Sequence, residues 1–166
     1  MKTTLSKCVA FLFLLVLSVS FSCNRENNIS PDPDGGPLVQ TNGDEYRKLM
    51  ATRETFDGTP FEITKVTREG NLLKIDVRGG NGIDNYKVVW DGSLMLSYPM
   101  QARLVVGYNT PDGAQDAAMH DYTLEVDLQK LFGKSANASE VIVHVSNGSK
   151  KQDTTVDPNG STSNPK

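Results

Sequence analysis

Cysteine and histidine are almost missing from this sequence, with two of each among 166 residues, and there is a single tryptophan. Nucleophilic hydrolysis needs a Ser, Thr or Cys beside a base, and metal-dependent hydrolysis needs several His or carboxylates converging on one point. The supply for either is thin. His144 alternates out of phase with Val143 and Val145, which puts it on a solvent-facing strand position, and His120 lies in a loop. Its neighbour Asp121 does not make it half of an acid–base pair, because adjacent side chains on an extended chain point apart. Glu62, Asp76, Glu125 and Asp127 could in principle supply a carboxylate pair for sugar hydrolysis. They fall at polar phases, where a solvated sheet face carries charge anyway. The expectation is therefore a protein that is not an enzyme and uses no cofactor.

Clustered basic residues are lacking too. Arg47-Lys48 and Lys150-Lys151 are the only adjacent pairs, and acids outnumber bases by 20 to 17. Binding to polyphosphate backbones draws on runs of Lys and Arg, so nucleic acid is excluded as a partner. Long apolar runs are absent except at the very start of the chain.

That start is informative. Lys2 and Lys7 precede an apolar run from Cys8 to Phe21, and the small residues Ser20 and Ser22 stand just before Cys23. The order cationic, apolar, small, cysteine is that of an export signal ending in a lipidation site. A membrane-spanning helix needs about 20 apolar residues, whereas this run is shorter and interrupted by serines. Residues 1–22 are thus expected to be a lipoprotein signal peptide, with Cys23 the acylated residue. Several acyl chains on one cysteine, palmitate among them, each add about 0.8 kcal/mol per buried methylene and hold a protein to a bilayer where a single chain is marginal. Cleavage removes Lys2 and Lys7 and none of the 20 acids, leaving 15 basic residues and a net charge of −5. Cys8 leaves with the signal, so no thiol remains for a disulfide or a nucleophile.

Composition divides the rest. Residues 23–43 are rich in Asn, Asp, Gly and Pro and read as a flexible tether. Residues 147–166 hold one aliphatic side chain, Val156, and read as a disordered polar tail. Between them, residues 44–146 form one β-domain with a short lead-in. In the lead-in, Tyr46, Leu49 and Met50 fall at helical spacing behind Asp44 as N-cap.

In the domain the apolar residues alternate with period 2. Phe61 and Ile63 slip phase to Val66, as a bulge causes. Leu73, Ile75 and Val77 follow the turn Glu69-Gly70-Asn71, completing a hairpin. Tyr86, Val88 and Trp90 share a face. Leu94 and Leu96 suggest a short edge strand, and Leu104, Val106 and Tyr108, then Tyr122 to Leu128, then Val141, Val143 and Val145 complete six or seven strands. A helical turn is expected near Gln129 to Phe132. The fold class expected is all-β, a single antiparallel β-sandwich of immunoglobulin-like type with disordered terminal tails.

The succession Gly79-Gly80, Tyr86 to Gly92, Pro99 to Val106, Asp116-Ala117 and Tyr122 to Leu128 resembles a group of small uncharacterised Bacteroidota lipoproteins. The resemblance covers roughly residues 61–128. It implies a cell-envelope address at the outer membrane and no particular activity. Relatives of this type often carry cysteines where Asn81 and Ala117 stand, so the disulfide they imply is absent from this chain.

The expected function is that of a non-catalytic, lipid-anchored envelope protein whose domain is an interaction or accessory module. Its partner would be an envelope protein or a glycan, met through loops 79–85 and 109–121. The alternative is a glycan-binding or calcium-dependent adhesion module. Asn109, Asp112 and Asp116 offer oxygen ligands around Gly113, although Asn, Asp and Gly are also ordinary turn residues. Exposed Tyr98 or Tyr108 beside the loops would favour glycan. A carboxylate-dependent hydrolase is the third reading. In the tail, Asp153-Thr154-Thr155 resembles the O-glycosylation acceptor of exported Bacteroidota proteins, with Thr154 the acceptor.

Overall fold

The computed structural model describes residues 29–30, 37–58, 60–110 and 119–164. Cys23, Asp112 and Asp116 lie outside them. In chain order the elements are β1 (Ile29–Ser30), β2 (Leu38–Thr41), α1 (Gly43–Thr52), β3 (Glu62–Glu69), β4 (Leu72–Arg78), β5 (Tyr86–Met95), β6 (Met100–Tyr108), β7 (Asp121–Asp127), α2 (Leu128–Phe132), β8 (Val141–Asn147), β9 (Asp153–Val156) and β10 (Thr162–Ser163).

They build two sheets. The smaller has the order β3-β4-β7 and is antiparallel, with Gly70 taking a positive φ of 61° in the β3–β4 turn. The phase slip between Ile63 and Val66 is a register shift between Ile63 and Lys65. The larger sheet has the order β1-β2-β5-β6-β8-β9-β10. Ile63, Val66, Leu73, Ile75, Val77, Leu124 and Val126 from the first sheet meet Val88, Trp90, Leu104, Val106, Val143 and Val145 from the second in one buried cluster. These are the inward phases of the alternation. Deeply buried, each such side chain contributes roughly 1.5–3 kcal/mol relative to exposure. Phe132 on α2 closes one end, its ring 5.1 Å from that of Trp90.

The mostly-β, two-sheet expectation is met, but four details differ. The larger sheet is mixed, not antiparallel, since β2 pairs parallel to β5 and β6 parallel to β8. Parallel pairing needs a crossover, and here β7, α2 and their connections supply the one between β6 and β8. Leu94 belongs to a continuation of β5 beyond an irregularity, paired with Ala102, rather than to a separate edge strand. Asn42, not Asp44, caps α1. Its side chain accepts from the main-chain N–H groups of Asp44 and Glu45.

The fourth difference concerns the tails. Within residues 23–43, β1 and β2 extend the large sheet, and the Asn42 N–H donates to the Trp90 carbonyl at 2.9 Å. The segment expected as a disordered tail from 147 carries strands as far as Ser163. Asn147 ends β8, β9 pairs antiparallel to β8, and Val156 is fully buried opposite Val143. One aliphatic residue suffices because β9 borrows its hydrogen bonds from β8 and buries a single knob in an existing core.

Val89 and Val105 are buried although they lie out of phase with the core. The reason is α1, which runs over the outer face of β5 and β6. Leu49 seats against Gly107, where an added Cβ would stand 3.0 Å from its Cδ1 and 2.8 Å from Lys87 Cε.

Val156→Ala should cost about 2 kcal/mol in chemical denaturation, by loss of buried methyl groups and the void they leave. A chain ending at Asn147 should lose its cooperative transition. If it instead melts with the whole chain, β9 and β10 contribute nothing to the fold.

Candidate functional site

Three tyrosines determine how one end of the molecule is built. Tyr86 opens β5 and Tyr108 closes β6, so strand register sets them side by side, and the packing of the small sheet on the large one brings Tyr122, near the start of β7, to the same level. Their rings pack at centroid distances of 4.9 Å (Tyr86–Tyr108) and 5.9 Å (Tyr86–Tyr122), and Phe61 meets Tyr86 edge-on at 5.3 Å. The hydroxyls then organise loop 79–85. Tyr86 donates to the Gly79 carbonyl at 2.7 Å, Tyr108 accepts from the Asn81 N–H at 2.7 Å, and Tyr122 accepts from the Gly82 N–H at 2.9 Å. Burial pushes the Tyr86 phenol well above its ordinary pKa, so it stays a hydrogen-bond donor at all physiological pH.

The flanks of loop 109–121 reach the same end. The Gly79 N–H donates to the His120 carbonyl and the Asn109 N–H to the Asn85 carbonyl, each at 2.9 Å. Arg78 and Asp121 pair at 2.8 Å on the rim, where the guanidinium hydrogen bond holds the Asp121 carboxyl below the usual range. Loop 79–85 and the two flanks of loop 109–121, whose relative position the sequence leaves open, are therefore neighbours. Residues 111–118 lie outside the described part.

Several sequence candidates do not assemble into a site. The Asn109 side-chain carbonyl accepts from Lys87 Nζ at 3.1 Å, and that ammonium also meets Glu45 at 2.6 Å. A cation already occupies one of the three proposed calcium ligands. Among the described residues no group of three or more His, Cys, Asp or Glu side chains could hold a metal. Tyr108 is buried beneath the loops and Tyr98 is fully exposed at the β5–β6 tip, at the opposite end, so they form no common platform for sugar. Of the four carboxylates, Asp76 accepts from Thr123, Glu125 and Glu62 lie within 4.0 Å and 3.7 Å of Lys74 and Lys150, and Asp127 caps α2. Each has a local structural use. Thr154 lies inside β9, its hydroxyl donating to Asn164 at 3.0 Å, not in a flexible segment.

His144 is half-buried rather than solvent-facing, because α1 shelters part of the outer face of the large sheet. It lines an open groove of about 470 Å³ with Tyr46, Met50, Arg103 and Asp153. Its ring nitrogens sit 2.9 Å from Thr155 Oγ1 and 2.8 Å from Gln101 Oε1. Beside it Arg53 makes two hydrogen bonds to Asp153, at 2.7 and 3.0 Å. Sequence reasoning misses this pair because Asp153 falls in the apparent tail.

No protein-family model, no curated protein and no solved structure matches the chain.

Gly80 sits at φ +69°, and an added Cβ would stand 2.6 Å from Tyr108 Cε2. Gly80→Ala should cost about 1–3 kcal/mol and release the loop from the tyrosines, read as lost amide-exchange protection at Asn81 and Gly82. Acid should also weaken the fold. Burial, then Arg103, lowers the His144 pKa, so the unfolded chain binds the proton more readily, and stability present above about pH 6.5 is lost as pH falls towards the folded value. The Asp153 carboxyl is held low chiefly by its hydrogen bond from Arg53, and its share is lost only in stronger acid. Melting temperatures from pH 7 to 5 should fall less steeply in His144→Gln than in wild type.

Proposed function

We propose that the protein is a non-catalytic, lipid-anchored component of the bacterial cell envelope. It is held by acylated Cys23 and presents the paired loops 79–85 and 109–121 to a protein partner. The observation that carries this reading is the convergence of loop 79–85 and the flanks of loop 109–121 on one end of the fold over the Phe61–tyrosine cluster. A rigid base carrying polar loops is the usual design of a recognition surface. The order of charged, apolar and small residues before Cys23 supports the anchor, and the resemblance to Bacteroidota lipoproteins supports an outer-membrane address. The shared core between two facing sheets supports an immunoglobulin-like sandwich that has recruited parallel strands. No helix among the described residues is long and apolar enough to cross a membrane.

A protein partner is favoured over a glycan because the aromatic rings at this end are spent on packing beneath the loops. A calcium-dependent adhesion role is disfavoured by the ammonium of Lys87 on Asn109.

Two measurements test the reading. Cys23→Ala should release a folded domain from membranes with its melting temperature unchanged; retention as firm as wild type refutes the anchor. A photo-crosslinker at exposed Asp84 should capture a defined envelope protein in intact cells, while one at Lys134 on the other end should not. Equal capture from both positions refutes a loop-directed interface.

A further inference from the structure

Among the described residues, the tip of the β5–β6 hairpin is the most exposed apolar feature. Leu96 and Tyr98 are 93% and 104% exposed, and Pro99 and Met100 follow. From Gly92 to Ala102 there is no charged side chain, in a chain that carries 20 acids. A lone exposed leucine is ordinary, but a leucine and a tyrosine together at the end of an uncharged ribbon form an apolar knob that no described residue covers.

Strand direction locates this knob relative to the N-terminus. β2 runs parallel to β5, with Leu38 beside Lys87 and Thr41 beside Trp90, so both run towards the hairpin tip. β1 is antiparallel to β2, with Ile29 opposite Gln40 and Ser30 opposite Val39. β1 therefore runs away from the tip, and Ile29 is its tip-ward residue, farther from loop 79–85 than Ser30 is. Only five residues, 24–28, separate Ile29 from Cys23, a distance of six residue steps. Fully extended they span at most about 20 Å.

We propose that the hairpin tip is a second membrane contact, in which Leu96 and Tyr98 enter the interface of the same bilayer that holds the acyl chains of Cys23. The inference rests on the lipid anchor proposed above. Its chemistry suits that place. Leucine partitions into the acyl boundary, tyrosine into the headgroup level with its hydroxyl in water, and the absence of acids avoids repulsion from anionic lipid. Exposed Lys130 and Lys134 belong to the same end, as do exposed Glu69 and Glu140, because Arg68 near the end of β3 hydrogen-bonds the carbonyls of Ala138 and Val141, where β8 begins beside Met100; the charges balance around an uncharged tip. The two contacts together orient the domain, with the paired loops pointing away from the membrane.

The experiment uses the acylated, mature protein in vesicles of phosphatidylethanolamine and phosphatidylglycerol. Acylation is verified by intact mass and by co-flotation with the vesicles, so failure of the anchor is recognised before the tip is tested. A polarity-sensitive thiol fluorophore is placed at Ser97→Cys, and in a second sample at Asp84→Cys on the loop end. The expected result is a blue-shifted emission at position 97 that doxyl-labelled lipid quenches, with neither effect at position 84. Adding Leu96→Ser and Tyr98→Ser should abolish the quenching at 97 while leaving flotation and melting temperature unchanged. An acylated, floating protein whose position 97 stays in water like position 84 overturns the proposal. So does a position 97 shielded by a protein crosslink and not reached by the lipid quencher.

Discussion

The two sheets are held together along one edge by side chains that take over the work of main-chain pairing. β3 is the outer strand of the small sheet, and nothing in the large sheet continues its ladder. Instead the Gln152 amide accepts from the Ile63 N–H at 3.0 Å and donates to the Ile63 carbonyl at 2.6 Å, which is what a neighbouring strand would do. Asn147 and Ser149 bind the Phe61 main chain in the same way. At the far end of β3 the buried Arg68 guanidinium donates to the carbonyls of Gly70, Val141 and Ala138. Burial lowers its pKa, and the carbonyl dipoles replace a carboxylate partner. Loosening either clasp would leave buried polar groups unpaired, at a cost of roughly 1–3 kcal/mol each.

This stitching explains why the segment after Ser146 is structural. Asn147, Ser149 and Gln152 are polar residues of the kind that disordered tails contain, and their composition alone carries no sign that their amides and hydroxyl face the edge of a strand. Their value depends on a partner some ninety positions earlier in the chain. Period-2 alternation revealed the core strands because each buries one face against the other sheet. β2, β9 and β10 left no such mark, since strands of two to four residues are too short to show an alternation. Parallel pairing was equally invisible, because the alternation of a strand is the same whichever way its neighbour runs.

The candidate surface was legible in part. Loops 79–85 and 109–121 stood out as long polar connections, and the tyrosines beneath them as inward-phase residues. That they lie together follows from the crossing of β4 to β7 and of β5 to β6, which no local pattern encodes. His144 shows the opposite failure. Its phase marked it as outward-facing, which is correct for the sheet, but the outer face of the sheet is partly roofed by α1 and so is not solvent.

The chain order of the large sheet has a consequence for how the molecule comes into being. β8, its fifth strand in space, is made after both members of the small sheet's hairpin, after β6 and after β7. Until it arrives, β6 stands as a bare edge, apolar on both faces through Val105 and Val106. Such an edge invites pairing with any other extended chain. The small sheet has all its strands once β7 is made, whereas the large sheet is completed only by β8, β9 and β10, between residues 141 and 163.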